Sequence, residues 1–212
     1  MNTDKTEKIK SNLRDYYNQE AELRNAGEKP DWKINEQKAF IGLALREHKK
    51  RLLEIGAGTG HDSKYFMEHG FEVTAIDLSA EMVKKCKEKG IDAYEMDFYN
   101  LSALNKKFDC IWAMNTLLHV PKSDLHQVLK GIDAVLNEDG LFFMGVWGGK
   151  DTEHDWSGHS ALVDKPRFFS FHSEEKLKET LREVFDIISF KQYDVDRENF
   201  DFQAVVMRKK QT

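Results

Sequence analysis

The period of apolar positions changes near residue 51. Before it they recur at helical spacing: Leu13, Tyr16 and Tyr17, then Ala39, Leu43 and Ala44. Gly27 and Pro30 interrupt this stretch, which predicts two helices joined near residues 26–31. From Arg51 onward short apolar runs alternate with helical stretches. The runs at 51–55, 71–76, 91–96, 108–114 and 141–147 read as strands. Between them lie a helix from His61 to Glu68 stopped by Gly70, a helix capped by Ser79 that ends before Gly90, and a helix opened by Pro121. Asn137-Glu138-Asp139-Gly140 reads as a turn into the last of these strands. Residues 148–166 have no period and read as a long polar loop, the kind that is either functional or mobile. Ser173 caps a further helix, with Glu174 and Glu175 where the helix dipole favours negative charge. Phe185–Tyr193 and Phe202–Met207 alternate like strands and predict an antiparallel hairpin at the sheet edge. The whole pattern predicts an α/β fold: a mostly parallel sheet with helices on both faces.

A chain of 212 residues, 40% of them hydrophobic, suits one domain, with residues 1–50 as a helical cap on an α/β body over 51–212. A formal net charge of -5 argues against nucleic acid or an anionic membrane as partner. The basic Arg208-Lys209-Lys210 reads as a solvated end. Two cysteines, Cys86 and Cys110, both in periodic segments, fit a reducing compartment. No apolar leader or membrane-length run is present, so the expectation is a cytoplasmic protein, monomer or homodimer.

The chemistry concentrates at the end of the first strand. In Leu52-Leu53-Glu54-Ile55-Gly56-Ala57-Gly58-Thr59-Gly60 an apolar run meets glycine at every second position, a turn that brings bare backbone close to a ligand. Asp77 follows the second strand, where a carboxylate can accept ribose hydroxyls. A dinucleotide fingerprint needs glycine where His61 stands, and no phosphate loop with a lysine occurs.

Glu54-x-Gly56-x-Gly58-x-Gly60, then Asp77, then Asp97-Phe98, resembles the class I S-adenosylmethionine-dependent methyltransferases. Phe108–Met114 is similar to their fourth strand and Asn137–Phe143 to the turn into their fifth; the likeness is good over 51–147 and weaker beyond. It implies a Rossmann-like, doubly wound, seven-stranded sheet with one antiparallel strand, S-adenosylmethionine as cofactor and S-adenosylhomocysteine as product. It also implies cofactor contacts at Glu54, Gly56, Ala57, Gly58, Thr59, Gly60, Asp77, Leu78, Met82, Asp97, Phe98, Met114 and Asn115. Asp77 would hold the ribose and Asp97 the adenine amino group. Two humbler uses stay open: Asp77 as a cap of the following helix, and Asp97 as a loop residue bonding its own backbone.

The acceptor would meet the segments added to this core. Tyr17, Trp32, His119, Trp147, Arg167 and Phe169 are the named candidates, with Tyr16, His154, Trp156, His159, Phe171, His172 and Phe202 around them. The N-terminal helices serve either as a packing cap or as a lid over the ligand. His119 either transfers a proton or packs under the next helix. His154 and His159, five apart and without nearby cysteines, do not make a metal site. The acidic balance favours a small-molecule acceptor. Two other classes compete: a nicotinamide-dependent oxidoreductase, disfavoured by His61, and a binding protein that holds the cofactor without catalysis.

Overall fold

The computed structural model describes residues 3–156, 165–194 and 200–211. Two helices come first, α1 (Thr3–Asn25) and α2 (Asp31–Arg46), broken at Gly27 and Pro30 as expected. Then follow β1 (Arg51–Ile55), α3 (His61–Glu68), β2 (Glu72–Asp77), α4 (Ala80–Glu88), β3 (Asp92–Glu95), β4 (Phe108–Met114), α5 (Lys122–Val135) and β5 (Leu136–Gly149). A short pair, β6 (Thr152–Trp156) and β7 (Arg167–Phe171), precedes α6 (Glu174–Val184), β8 (Phe185–Asp194) and β9 (Phe200–Lys209).

The main sheet has seven strands in the order β3-β2-β1-β4-β5-β9-β8. The first five pair in parallel, and β9 enters antiparallel between β5 and β8. Alternation along the inner strands explains the two helical layers. Ile111 and Ala113 of β4, with Phe142, Met144 and Val146 of β5, pack under α5 and α6. Their neighbours Cys110, Trp112, Leu141 and Phe143 pack under Phe40, Ile41 and Ala44 of α2 and Phe66 of α3. Strands apolar on both faces need cover on both. Ser79 and Ser173 cap α4 and α6 through the amides of Met82 and Lys176.

Three expectations change. Leu136 already pairs with Phe108, so β5 starts before the turn, and residues 137–140 bulge out of it with Asp139 left-handed at φ 58°. The segment read as a long loop holds the end of β5, then β6 paired with β7. Thr-Glu-His-Asp-Trp has no strand pattern of its own; it is extended because the Phe-rich β7 lies beside it. His154 stacks on Phe171, whereas Gly158 and His159 lie outside the described residues. The basic tail is not a loose end: Arg208 pairs with Glu47 at 2.6 Å and Lys209 with Glu138 at 3.1 Å, both inside β9. Among the described residues no helix is long and apolar enough to cross a membrane.

Candidate active site

Parallel strands leave their carboxyl ends open to a ligand, above all where the strand order reverses. That point lies between β1 and β4, and a cavity of about 440 Å³ opens there. The three glycines of the turn after β1 have three different reasons. Gly56, at φ 70°, faces Thr116; a Cβ would stand 2.1 Å from Thr116 Oγ1. Gly58, at φ 55°, faces open space, and its N–H donates to Asp77 Oδ2 at 2.8 Å. Gly60, at φ 81°, turns away from the cavity; its Cβ would stand 2.5 Å from Ile91 Cδ1 and 2.9 Å from Cys86 Sγ. Gly60 is thus needed for packing α3 against α4 and β3, and does not line the cavity.

Asp77 ends β2 with both oxygens engaged: Ser79 N–H donates to Oδ1 at 2.9 Å and Gly58 N–H to Oδ2. The cap reading therefore holds, and each oxygen keeps a further lone pair as an acceptor. Burial pushes its carboxyl up to about 6, against the pull of these amides. Glu54 is buried beneath the turn, accepts from the Ser63 hydroxyl and is pushed up to about 7 by burial. Beside it Asp62 accepts from Trp112 Nε1 at 3.0 Å and pairs with Lys29. Asn115 follows β4 at φ 57°, and its Oδ1 is buried without a partner.

At the β3 end Leu78, Met82, Met96 and Phe98 give apolar walls around Asp97. Asp97 accepts from Tyr99 N–H at 2.9 Å, the local loop bond, and also lies 2.9 Å from Lys10 Nζ on α1. Helix α1 roofs the cavity with Thr6, Ile9, Lys10, Leu13, Tyr17 and Arg24, a single stripe at helical spacing. Helix α1 thus covers the cavity, but of Tyr16, Tyr17 and Trp32, the aromatics expected on a lid, Tyr17 lines it and the other two do not. Polar clasps hold it, among them Ser79 Oγ donating to Asn18 at 2.6 Å and Glu22 pairing with Lys85 at 2.6 Å.

Of the acceptor candidates, Tyr17 and His119 reach the cavity. His119 Nδ1 lies 2.7 Å from the Phe168 carbonyl, which can only accept, so Nδ1 carries the proton. Nε2 then accepts from the Tyr17 hydroxyl at 2.7 Å. Burial pushes His119 down to about 3, and Arg167 adds to that. Trp32, Trp147, Arg167 and Phe169 are not brought to the cavity. The Arg167 guanidinium lies between the Tyr16 and Phe169 rings, 4.4 and 5.0 Å from their centroids. Trp32 and Trp147 pack on the buried Phe202. Sequence reasoning missed Lys10, Arg24, Lys29 and Lys33, cations of an acidic chain that all line the cavity. Their only signal is that Lys10 and Arg24 fall seven residues either side of Tyr17, on its helix face.

A family model described as "Methyltransferase domain" matches residues 25–184. An uncharacterized methyltransferase of Alkaliphilus oremlandii is 34% identical over 99 residues, 46% of this chain and 46% of that protein. Glycine N-methyltransferase of Oryctolagus cuniculus is 29% identical over 132 residues, 51% of this chain and 45% of that one. The matches thus span under half the length of these curated relatives. In the fold comparison, the 1,6-didemethyltoxoflavin-N1-methyltransferase of Burkholderia thailandensis, solved with 1,6-didemethyltoxoflavin and S-adenosylhomocysteine, aligns with TM-score 0.70 at 20% identity. That alignment covers 95% of this chain and 88% of that one.

Proposed function

Because this chain belongs to the class I S-adenosylmethionine-dependent methyltransferase family, we propose that it transfers a methyl group to a small-molecule acceptor enclosed beneath α1. The observation that carries this reading is the pair Gly58 and Asp77: an open-faced glycine whose amide fixes a carboxylate with lone pairs to spare. The groups present fit the cofactor. Bare backbone at Gly56–Gly58 suits the methionine portion, Asp77 the ribose hydroxyls, and Leu78, Met82 and Phe98 the adenine faces. The orphaned Asn115 Oδ1 suits an ammonium. When bound, the cofactor supplies a sulfonium methyl group for in-line displacement.

The chain's own part is alignment and exclusion of water. A cavity of about 440 Å³ falls within the ~300–1,000 Å³ of small-ligand sites. Both ring nitrogens of His119 are already engaged, and burial disfavours its cation. It acts as a positioning residue: by accepting the Tyr17 hydroxyl hydrogen, it turns the free lone pairs of that oxygen towards the acceptor.

Calorimetric titration with S-adenosylhomocysteine tests the reading. Asp77→Ala is expected to weaken binding at least tenfold, ~1.4 kcal/mol. Equal binding by Asp77→Ala and the parent would defeat it. A screen of small acceptors for S-adenosylhomocysteine release then tests turnover.

A further inference from the structure

Lys33 is the one cavity cation with no counter-charge. Lys10 pairs with Asp97, Lys29 with Asp62, and Arg24 with Glu20 at 3.7 Å. Among the described residues Lys33 has neither a carboxylate partner nor a hydrogen bond. Its Nζ instead faces rings, 5.1 Å from the centroids of Trp32 and Phe202 and 6.0 Å from Trp147.

Three features make this placement unfavourable for a cation. Partial burial strips it of some of its water, and the charges that bear on it, Lys29 and Arg24, share its sign. It also stands in the first turn of α2, beside the positive end of the helix dipole, after a Pro30 N-cap that offers no side-chain acceptor. Together burial and the two cations push Lys33 down to about 8. The rings offset part of this through their negative faces. An anion in the cavity would offset all three.

We propose that Lys33 is the recognition point for a carboxylate carried by the methyl acceptor. The proposal rests on the methyl-transfer reading for what fills the rest of the cavity. Position favours the acceptor as the source of the carboxylate. Asp77 and the glycine turn belong to β2 and β1, whereas Trp147 and Phe202 belong to β5 and β9. At ~4.8 Å per strand, these lie roughly 10–14 Å beyond β1, on the far flank of β4. Trp32, Trp147 and Phe202 are not part of the cavity lining; they back Lys33 from behind, while the lysine itself lines the cavity. A neutral isostere would cover the half-buried ammonium and leave it unpaired, so the site selects by charge.

The test titrates the full chain, saturated with S-adenosylhomocysteine, with benzoate and with neutral benzamide. The parent protein is expected to bind benzoate at least tenfold more tightly than benzamide. Lys33→Met closes that gap, Lys33→Arg keeps most of it, and both hold S-adenosylhomocysteine within twofold of the parent. Equal binding of the two probes by the parent, or a gap that survives Lys33→Met, overturns the proposal. So does a tenfold loss of S-adenosylhomocysteine in Lys33→Met with 5′-methylthioadenosine unaffected, which assigns Lys33 to the cofactor's carboxylate. A parent protein that binds no S-adenosylhomocysteine defeats the methyl-transfer reading instead, and the two probes, run without it, still decide the role of Lys33.

Discussion

Tyr17 and His119, 102 residues apart, are joined by a 2.7 Å hydrogen bond whose direction is fixed from behind, because His119 already gives its only proton to the Phe168 carbonyl. This bond ties the roof helix to the segment after β4. Both side chains line the cavity, so loss of the bond affects both stability and cavity geometry. Urea denaturation of Tyr17→Phe, His119→Ala and the double variant should give a coupling energy of about 1 kcal/mol. Additive losses would mean that the two side chains act independently.

The Asp77 carboxyl is held at about 6, well above the ~3.9 of a free aspartate. A folded value above the unfolded one means that the native state holds the proton more tightly. Stability from this group is therefore present below the unfolded value and is lost as pH rises through the folded one. Asp77→Asn should accordingly raise the melting temperature of the ligand-free protein at pH 7.5 by roughly 2–4 °C, for a net gain of about 1 kcal/mol. The difference should shrink towards zero by pH 4. A variant less stable than the parent at pH 7.5 would contradict the assigned direction.

The glycines of the turn should separate by measurement. Gly56→Ala meets Thr116 and Gly60→Ala meets Ile91 and Cys86, so both should lose several kcal/mol of stability, as overpacked sites do. Ile91→Ala should recover part of the Gly60→Ala loss and none of the Gly56→Ala loss. Gly58→Ala meets nothing and carries only the left-handed backbone cost of ~1–2 kcal/mol, yet it should weaken S-adenosylhomocysteine most per kcal/mol of stability lost. Thermal melts with and without ligand give both quantities.

Helix α1 is clasped mainly by charge and hydrogen bonds, with a small apolar cluster of Ile9, Leu13 and Phe168 beneath it. Such contacts weaken with salt. Hydrogen exchange at α1 amides should accelerate severalfold between 0.05 and about 0.5 M NaCl, while β4 and β5 stay protected. Lys10→Met should imitate the salt effect at low ionic strength.

The parallel core was legible because its signals are local. Each of β1, β2 and β4 is a short apolar run closed within two residues by Gly56, Ser79 or Asn115, and Asp77 stands directly at a strand end. The β6–β7 pair was not legible, because Thr152–Trp156 is extended only by virtue of Phe-rich neighbours fifteen residues away. The acceptor side was half legible for a similar reason. Aromatic residues announce burial but not direction: Trp32 and Trp147 were expected at the ligand and instead frame Lys33, whose importance depends on what is missing around it. Gly60 was read as bare backbone facing a ligand, and its open side instead faces Ile91 and Cys86.

The sheet order has a consequence for synthesis on the ribosome. Strand β9, last to emerge, slots between β5 and β8. Until Phe200–Lys209 leaves the exit tunnel, the outer edge of β5 has no ladder partner and β8 has nothing to pair with. At about 5–20 residues per second, that interval lasts for seconds. Through it, an apolar strand edge rich in phenylalanine is open to any other nascent chain. Crowded translation is then a condition that favours aggregation of this protein.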